Sequence, residues 1–125
     1  MLNEKELLKL AEQISHSSII WSRHCCIVAT SSGRIISIGI NDYGDYHTKY
    51  TCHAEFNAIY KLKRKRKQIG NRHLDVYIAR RYWEDSKPCQ TCKNLIIQMS
   101  KLYNIKRVIY TVKGGYKVIT DFETL

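Results

Sequence analysis

The chain has 125 residues, 44% of them hydrophobic, and carries 21 Lys and Arg against 11 Asp and Glu, a formal net charge of +10. This length fits a single domain spanning residues 1–125 with a core of its own, and nothing in the sequence suggests a second unit. Without an apolar leader or a membrane-length apolar run, a soluble intracellular protein is expected, cytoplasmic or nuclear and with no membrane partner; the odd count of five Cys argues against a disulfide framework.

In chain order, Leu2, Leu7, Leu8, Leu10, Ala11 and Ile14 recur at the spacing of an amphipathic helix, predicted over Leu2–His16. Cys25–Thr30 and Ile35–Asn41 read as strands, joined by a hairpin turn at Ser31-Ser32-Gly33-Arg34. Cys25 and Cys26 are then neighbours facing opposite sides of a strand, small core residues, with Cys52 a further candidate. A loop from Asp42 to Thr51 leads to His53, which opens a helix with Ala54, Ala58, Ile59 and Leu62 on one face and Gly70 as its stop. Leu74–Ala79 reads as a third strand, and Arg80–Lys87 as a polar loop. A helix starts at Pro88, with Leu95, Met99 and Leu102 extending its apolar side. Ile105–Val112 is a fourth strand. Lys113-Gly114-Gly115 turns the chain into a fifth, Tyr116–Thr120, too abruptly for a crossover, so the last two strands are expected to pair antiparallel.

Metal chemistry is concentrated at His53 and in Pro88-Cys89-Gln90-Thr91-Cys92. Cys89, Cys92 and Ile96 stand at i, i+3 and i+7 of a helix, so both thiolates can meet one ion. One His and two Cys make three ligands. A structural Zn²⁺ site normally fills all four tetrahedral places, whereas a catalytic one leaves the last to water, whose pKa the metal lowers towards neutrality. Glu55, two residues after the His, is the natural proton shuttle. A redox pair of Cys89 and Cys92 leaves His53 and Glu55 unexplained. A closed structural site needs a fourth ligand from Cys52, His47 or His73. Cys52 adjoins His53, and neighbouring helical residues point about 100° apart, an awkward geometry for one ion.

The pattern His53-Ala54-Glu55 followed by Pro88-Cys89-Gln90-Thr91-Cys92 resembles the signature of the zinc nucleobase deaminases, and the chain is similar to the cytidine and deoxycytidylate deaminase superfamily from about Ser22 to Thr120. The resemblance implies an α/β, three-layer α-β-α cytidine deaminase-like fold. Its mixed five-stranded sheet ends in an antiparallel hairpin, and the zinc ligands sit at the N-termini of two central helices, where free N–H groups favour thiolate. It implies hydrolytic deamination with Glu55 as acid and base, most readily of cytosine in a cytidine or deoxycytidine nucleotide, although adenosine and guanine deaminases share these letters. Backbone N–H groups of Ala54 and near Cys89 would orient the base, and Asn41 resembles the family residue that contacts sugar or base; its bland reading is a strand-capping turn residue. Tyr82 and Trp83 offer a stacking surface, or simply packing. His24, Arg80 and Arg81 offer phosphate contacts, or solvated and paired surface. The transfer-RNA adenosine deaminases and many polynucleotide cytosine deaminases place a helix between the last two strands, and here a Gly-Gly turn stands instead.

Lys61, Lys63, Arg64, Lys65, Arg66 and Lys67 crowd into seven residues, a footprint suited to polyanions. The same run also complements a helix C-terminus, keeps a surface solvated, or serves as a nuclear-import signal. Three functions follow: an enzyme acting on a free nucleoside or nucleotide, a deaminase of single-stranded DNA or RNA, and an inactive nucleic-acid-binding module on the deaminase fold. Each is compatible with a homo-oligomer. On a helix starting at His53, residues 61–67 lie about 12 to 21 Å from the zinc ligand, beyond the reach of one nucleotide's phosphate.

Overall fold

A computed structural model describes residues 2–17, 23–41 and 53–125. The expected loop Asp42–Thr51 with His47, and Cys52, lie outside the described residues.

The first helix, α1, spans Glu4–Ser15. It starts two residues later than its apolar spacing predicts because Asn3 is its cap. The Asn3 side chain accepts from the Glu6 N–H at 2.9 Å, and the Glu6 carboxylate accepts from the Asn3 N–H at 3.1 Å. Strands β1 (His24–Thr30), β2 (Ile35–Ile40), β3 (Leu74–Arg80), β4 (Ile105–Val112) and β5 (Gly115–Ile119) form one sheet in the order β2-β1-β3-β4-β5. β1 is antiparallel to β2 and to β3, β3 and β4 run parallel, and β4 and β5 form the expected antiparallel hairpin.

Alternation along β1 separates two cores. Cys25, Ile27 and Ala29 face α1 and pack with Leu7, Leu8 and Ala11, while Cys26 and Val28 face the opposite helical layer. Both cysteines are fully buried and unbridged, as their strand positions predict. The second helical layer consists of α2 (Ala54–Tyr60), α3 (Arg66–Ile69) and α4 (Gln90–Met99). Two helical layers therefore enclose the sheet, three layers in all, and each fully buried Leu or Ile contributes roughly 1.5–3 kcal/mol. Arg107 of β4 ties the α1 layer to the sheet, donating to Asp75 of β3 and to Glu4 of α1 at 2.8 Å each, while the Tyr116 hydroxyl donates to Glu4 at 2.8 Å.

α2 runs back along edge strand β2 at very close range. A Cβ on Gly39 would stand 2.4 Å from the Ala58 nitrogen and 2.6 Å from the Ala54 carbonyl oxygen. Ser37 Oγ donates to the Ala58 carbonyl at 2.8 Å, Lys61 Nζ to the Ile38 carbonyl at 2.6 Å, and Asn57 Nδ2 to the Ile40 carbonyl.

The second helical layer departs from the sequence reading in three places. The helix expected from His53 to Gly70 is broken: Lys61–Lys65 form a 3₁₀ turn before α3. The tighter turn keeps Leu62 and Ile69 buried while most of the cations between them stay exposed. Gly70 ends the run as expected, at φ +52°, a conformation favouring glycine. α4 begins at Gln90 rather than Pro88, because Cys89 is an extended cap (φ −68°, ψ 170°). It ends before Leu102, which is 67% exposed; the chain turns there and buries Tyr103 instead.

Candidate active site

His53 and Cys89 hold matching positions: each is the cap residue of a helix, extended in backbone, and neither spends its side chain on a capping bond. Both side chains instead turn into the gap between the starts of α2 and α4. Cys92, one turn into α4, completes the group. His53 Nδ1 lies 3.2 Å from Cys92 Sγ and 3.5 Å from Cys89 Sγ, and the three ligand atoms all lie within 4.8 Å of one another. Zinc–nitrogen and zinc–sulfur bonds of ordinary length meeting at the tetrahedral angle place N and S about 3.5 Å apart, so these separations are those of ligands on one ion.

The electrostatics favour the same occupant. Glu55 belongs to the first turn of α2 and is only 5% exposed. Burial pushes the Cys92 thiol well above its ordinary range, and the charges of Glu55 and then Cys89 push it further. Two thiolates and a carboxylate crowded together repel one another, and a divalent cation reverses that balance. The positive ends of α2 and α4 add to it. The donor set thus fits zinc. His53 joins both sulfurs, which a simple dithiol pair does not require, and His73 precedes β3 at the far end of the sheet, where it cannot serve as a fourth ligand. Among the described residues His53, Cys89 and Cys92 form the metal-competent cluster.

Two residues that the sequence reading missed position this centre. Gly39 admits the backbone of α2, and with it His53 and Glu55. Ser86, 1% exposed, pins the loop that delivers Cys89. Its Oγ donates to the Ile78 carbonyl at 2.8 Å and its N–H to the Thr111 carbonyl at 2.9 Å, while the Thr111 N–H donates back to Ser86 Oγ at 2.9 Å. Pro88 and Cys89 follow two and three residues later.

The remaining candidates divide. Ala54, fully buried, opens α2 beside the cluster. Asn41 lies at the same end of the sheet, where its side chain accepts from the His24 N–H at 3.0 Å and so extends the β1–β2 ladder, the strand-capping role. Trp83 is not brought to the cluster. It packs with the α1-side core and lines a cavity of about 370 Å³ with Lys5, Lys9 and Tyr116, across the sheet from α2 and α4. The cause is a left-handed turn: Tyr82 and Trp83 have φ of 63° and 54°. Tyr82 is held to the α1 side by its N–H, which donates to Glu12 at 3.1 Å, and by the Arg81 guanidinium, 4.4 Å above its ring. Arg80 pairs with Glu84 at 3.4 Å. Lys61 reaches back to the Ile38 carbonyl, and the cations after it lead away from the cluster, with Arg66 beside the chain that leaves α4.

Residues 3–112 match the cytidine and deoxycytidylate deaminase zinc-binding region. The chain belongs to this deaminase family. Among solved structures, a cytidine deaminase from Burkholderia pseudomallei superposes with a TM-score of 0.71 at 15% identity, covering 95% of this chain and 93% of that one. The apo dCMP deaminase of cyanophage S-TIM5 gives 0.66 at 25% identity, over 88% of this chain and 84% of that one. The same phage enzyme in complex with dCMP and dUMP gives 0.63 at 21% identity, over 88% and 83%. Among curated proteins there is no significant match. Among the described residues, no helix of this deaminase is long and apolar enough to cross a membrane.

Proposed function

We propose that this deaminase converts cytosine to uracil in a free cytidine or deoxycytidine nucleotide, with His53, Cys89 and Cys92 holding zinc and Glu55 moving the protons. The observation that carries the reading is the placement of Glu55: a nearly buried carboxylate two residues beyond His53 and beside Cys92, with no structural salt bridge among the described residues. When bound, zinc supplies a Lewis acid that makes water nucleophilic near neutral pH.

Glu55 takes one proton from that water and delivers it to the ring nitrogen beside the reacting carbon. As the C–N bond breaks, it passes the second proton to the amine, which leaves as ammonia; water's oxygen remains as the new carbonyl. The free N–H groups in the first turn of α2, starting at Ala54, face the same space and orient the base's carbonyl. Asn41, which follows β2 at the same end of the sheet, is the residue this reading assigns to the sugar.

A free nucleotide is preferred to a polymer because the basic run begins two turns along from the cluster and leads away from it. The phage dCMP deaminase, bound to dCMP and dUMP, supports a nucleotide over a bare base. The test is ammonia release and base conversion by zinc-loaded protein on cytidine, CMP, dCMP, adenine and guanine compounds, and single-stranded oligonucleotides. Turnover of a cytidine compound that Glu55→Ala lowers by several orders of magnitude, with zinc and fold retained, is expected. Activity confined to purines or to oligonucleotides, or preserved in Glu55→Ala, would reject this assignment.

A further inference from the structure

The end of the molecule opposite the zinc centre carries a second set of features that deamination does not use. No Asp or Glu occurs between Phe56 and Leu74 or between Ser86 and Thr120. Those two stretches meet at this end, where the 3₁₀ turn and α3 lie against the chain leaving α4. Among the described residues no carboxylate pairs with Lys63, Arg64, Lys65, Arg66 or Lys67. These side chains line a groove of about 410 Å³ that continues to Gln68. A row of cations left without acidic partners is a counterion-loaded surface, and displacing those ions drives polyanion binding.

Arg66 also lines a second, smaller cavity of about 220 Å³, together with Ile69, Gly70, Leu102 and Tyr103. Tyr103 is only 8% exposed, and its hydroxyl is buried with no hydrogen-bond partner. Leu102, 67% exposed, stands on the rim. The cavity is therefore apolar at its edge and cationic on one side, and it opens beside the basic groove.

We propose that this face binds single-stranded nucleic acid, phosphates lying along the groove from Lys63 to Lys67 and one unstacked base entering the Tyr103 cavity. A duplex hides its bases and cannot fill the cavity, whereas a single strand presents them for stacking and edge contacts. A membrane fits less well, because the basic segment lacks the continuous apolar face of an interfacial helix and exposes one leucine. From His53 to Arg66 the helical path is on the order of 20 Å, so the bound strand docks away from the zinc centre rather than threading it. The proposal is independent of which base the centre deaminates.

The experiment is fluorescence anisotropy of a labelled mixed-sequence single strand with the zinc-loaded full chain over a salt series. Duplex of the same sequence, inorganic polyphosphate and phosphatidylserine vesicles are the comparison probes. The triple variant Lys63→Gln, Arg64→Gln, Arg66→Gln is expected to weaken single-strand binding at least tenfold across sequences and to flatten the log–log salt slope by about 2, at about 0.7 per lost phosphate contact. Leu102→Ser, which removes the apolar rim and no charge, is expected to weaken single-strand binding several-fold at unchanged salt slope, while leaving polyphosphate binding as it was. Unchanged affinity and slope in the triple variant, single-strand affinity of Leu102→Ser equal to that of the parent, or tighter capture by vesicles than by the single strand overturns the proposal.

Discussion

Ser86 and Thr111 bond to each other in both directions, each backbone N–H reaching an oxygen of the other residue at 2.9 Å. The pair fastens the loop that carries Cys89 to the end of β4, so the position of a metal ligand is set by a strand to which it is not otherwise attached. Ser86→Ala leaves the buried Thr111 N–H without its side-chain acceptor and is expected to lower stability by about 1–3 kcal/mol. Because the loop loosens, zinc affinity should fall as well. Thermal melts and competition with a chromogenic chelator measure the two effects; a loss of stability with unchanged zinc affinity would show that the loop is positioned by something else.

Gly39 makes a sharper case. Alanine there has to displace the backbone of α2 rather than a side chain, since the nearest atoms are the Ala58 nitrogen and the Ala54 carbonyl oxygen. Gly39→Ala is expected to cost about 1–3 kcal/mol, as other overpacked sites do, and to move His53 and Glu55 out of register with α4. Adding Ala58→Gly should not rescue it, because the clash is with main chain. Rescue in the double variant, read as zinc content and turnover, would refute the argument.

The purified protein should carry one zinc per chain, with Cys89→Ser and Cys92→Ser each removing most of it. Cys92 is fully buried and Cys89 exposed, so Cys92→Ser should lower the melting temperature more. Metal binding is coupled to folding, and a strong chelator should shift the parent protein in the same direction. Elemental analysis alongside calorimetry decides it; full zinc occupancy in either variant removes that residue from the ligand set.

Alkaline stability follows from two groups outside the centre. Cys25 is pushed up from 9.0 to about 12, by burial against a weaker opposing pull from Lys61, and Tyr77 from 10.0 to about 12, by burial and then by Asp75. Folded, both hold protons that the unfolded chain releases. Their contribution is complete below pH 9 and is lost as pH rises from 9 through 12. Denaturant titrations across that range should show the decline, and Cys25→Ala should make it shallower, first between pH 9 and 10. An identical profile in the variant would exclude Cys25 as a source.

The metal-competent cluster was legible in the sequence because its chemistry is local: one His, a C-x₂-C on one helical face and a neighbouring Glu restrict both residue type and spacing. The three layers and the final hairpin were legible for a related reason, since strand alternation and a Gly-Gly turn act within a few residues. Ser86 and Gly39 were not, because their meaning lies in Thr111 and Ala58, 25 and 19 positions away. A serine in a polar loop and a glycine in a strand look ordinary until the chain closes. Trp83 went the other way. Its nearness in sequence to Cys89 suggested a place in the site, but two consecutive left-handed residues, which no propensity foretells, send it across the sheet. The broken helix at Lys61 is intermediate: the cationic run was visible, while the break depends on burying both Leu62 and Ile69, which only the folded chain shows.

The bonds from Asn57 and Lys61 to the carbonyls of Ile40 and Ile38 give α2 a second office. β2 is an edge strand, and an edge with free carbonyls is a template for another chain. The helix capped by His53 is also the cover over that template. Removing the ion is expected to loosen the start of α2 and uncover Ile38 and Ile40 together, and light scattering of the chelated protein, rising as strands add to the bare edge, checks it.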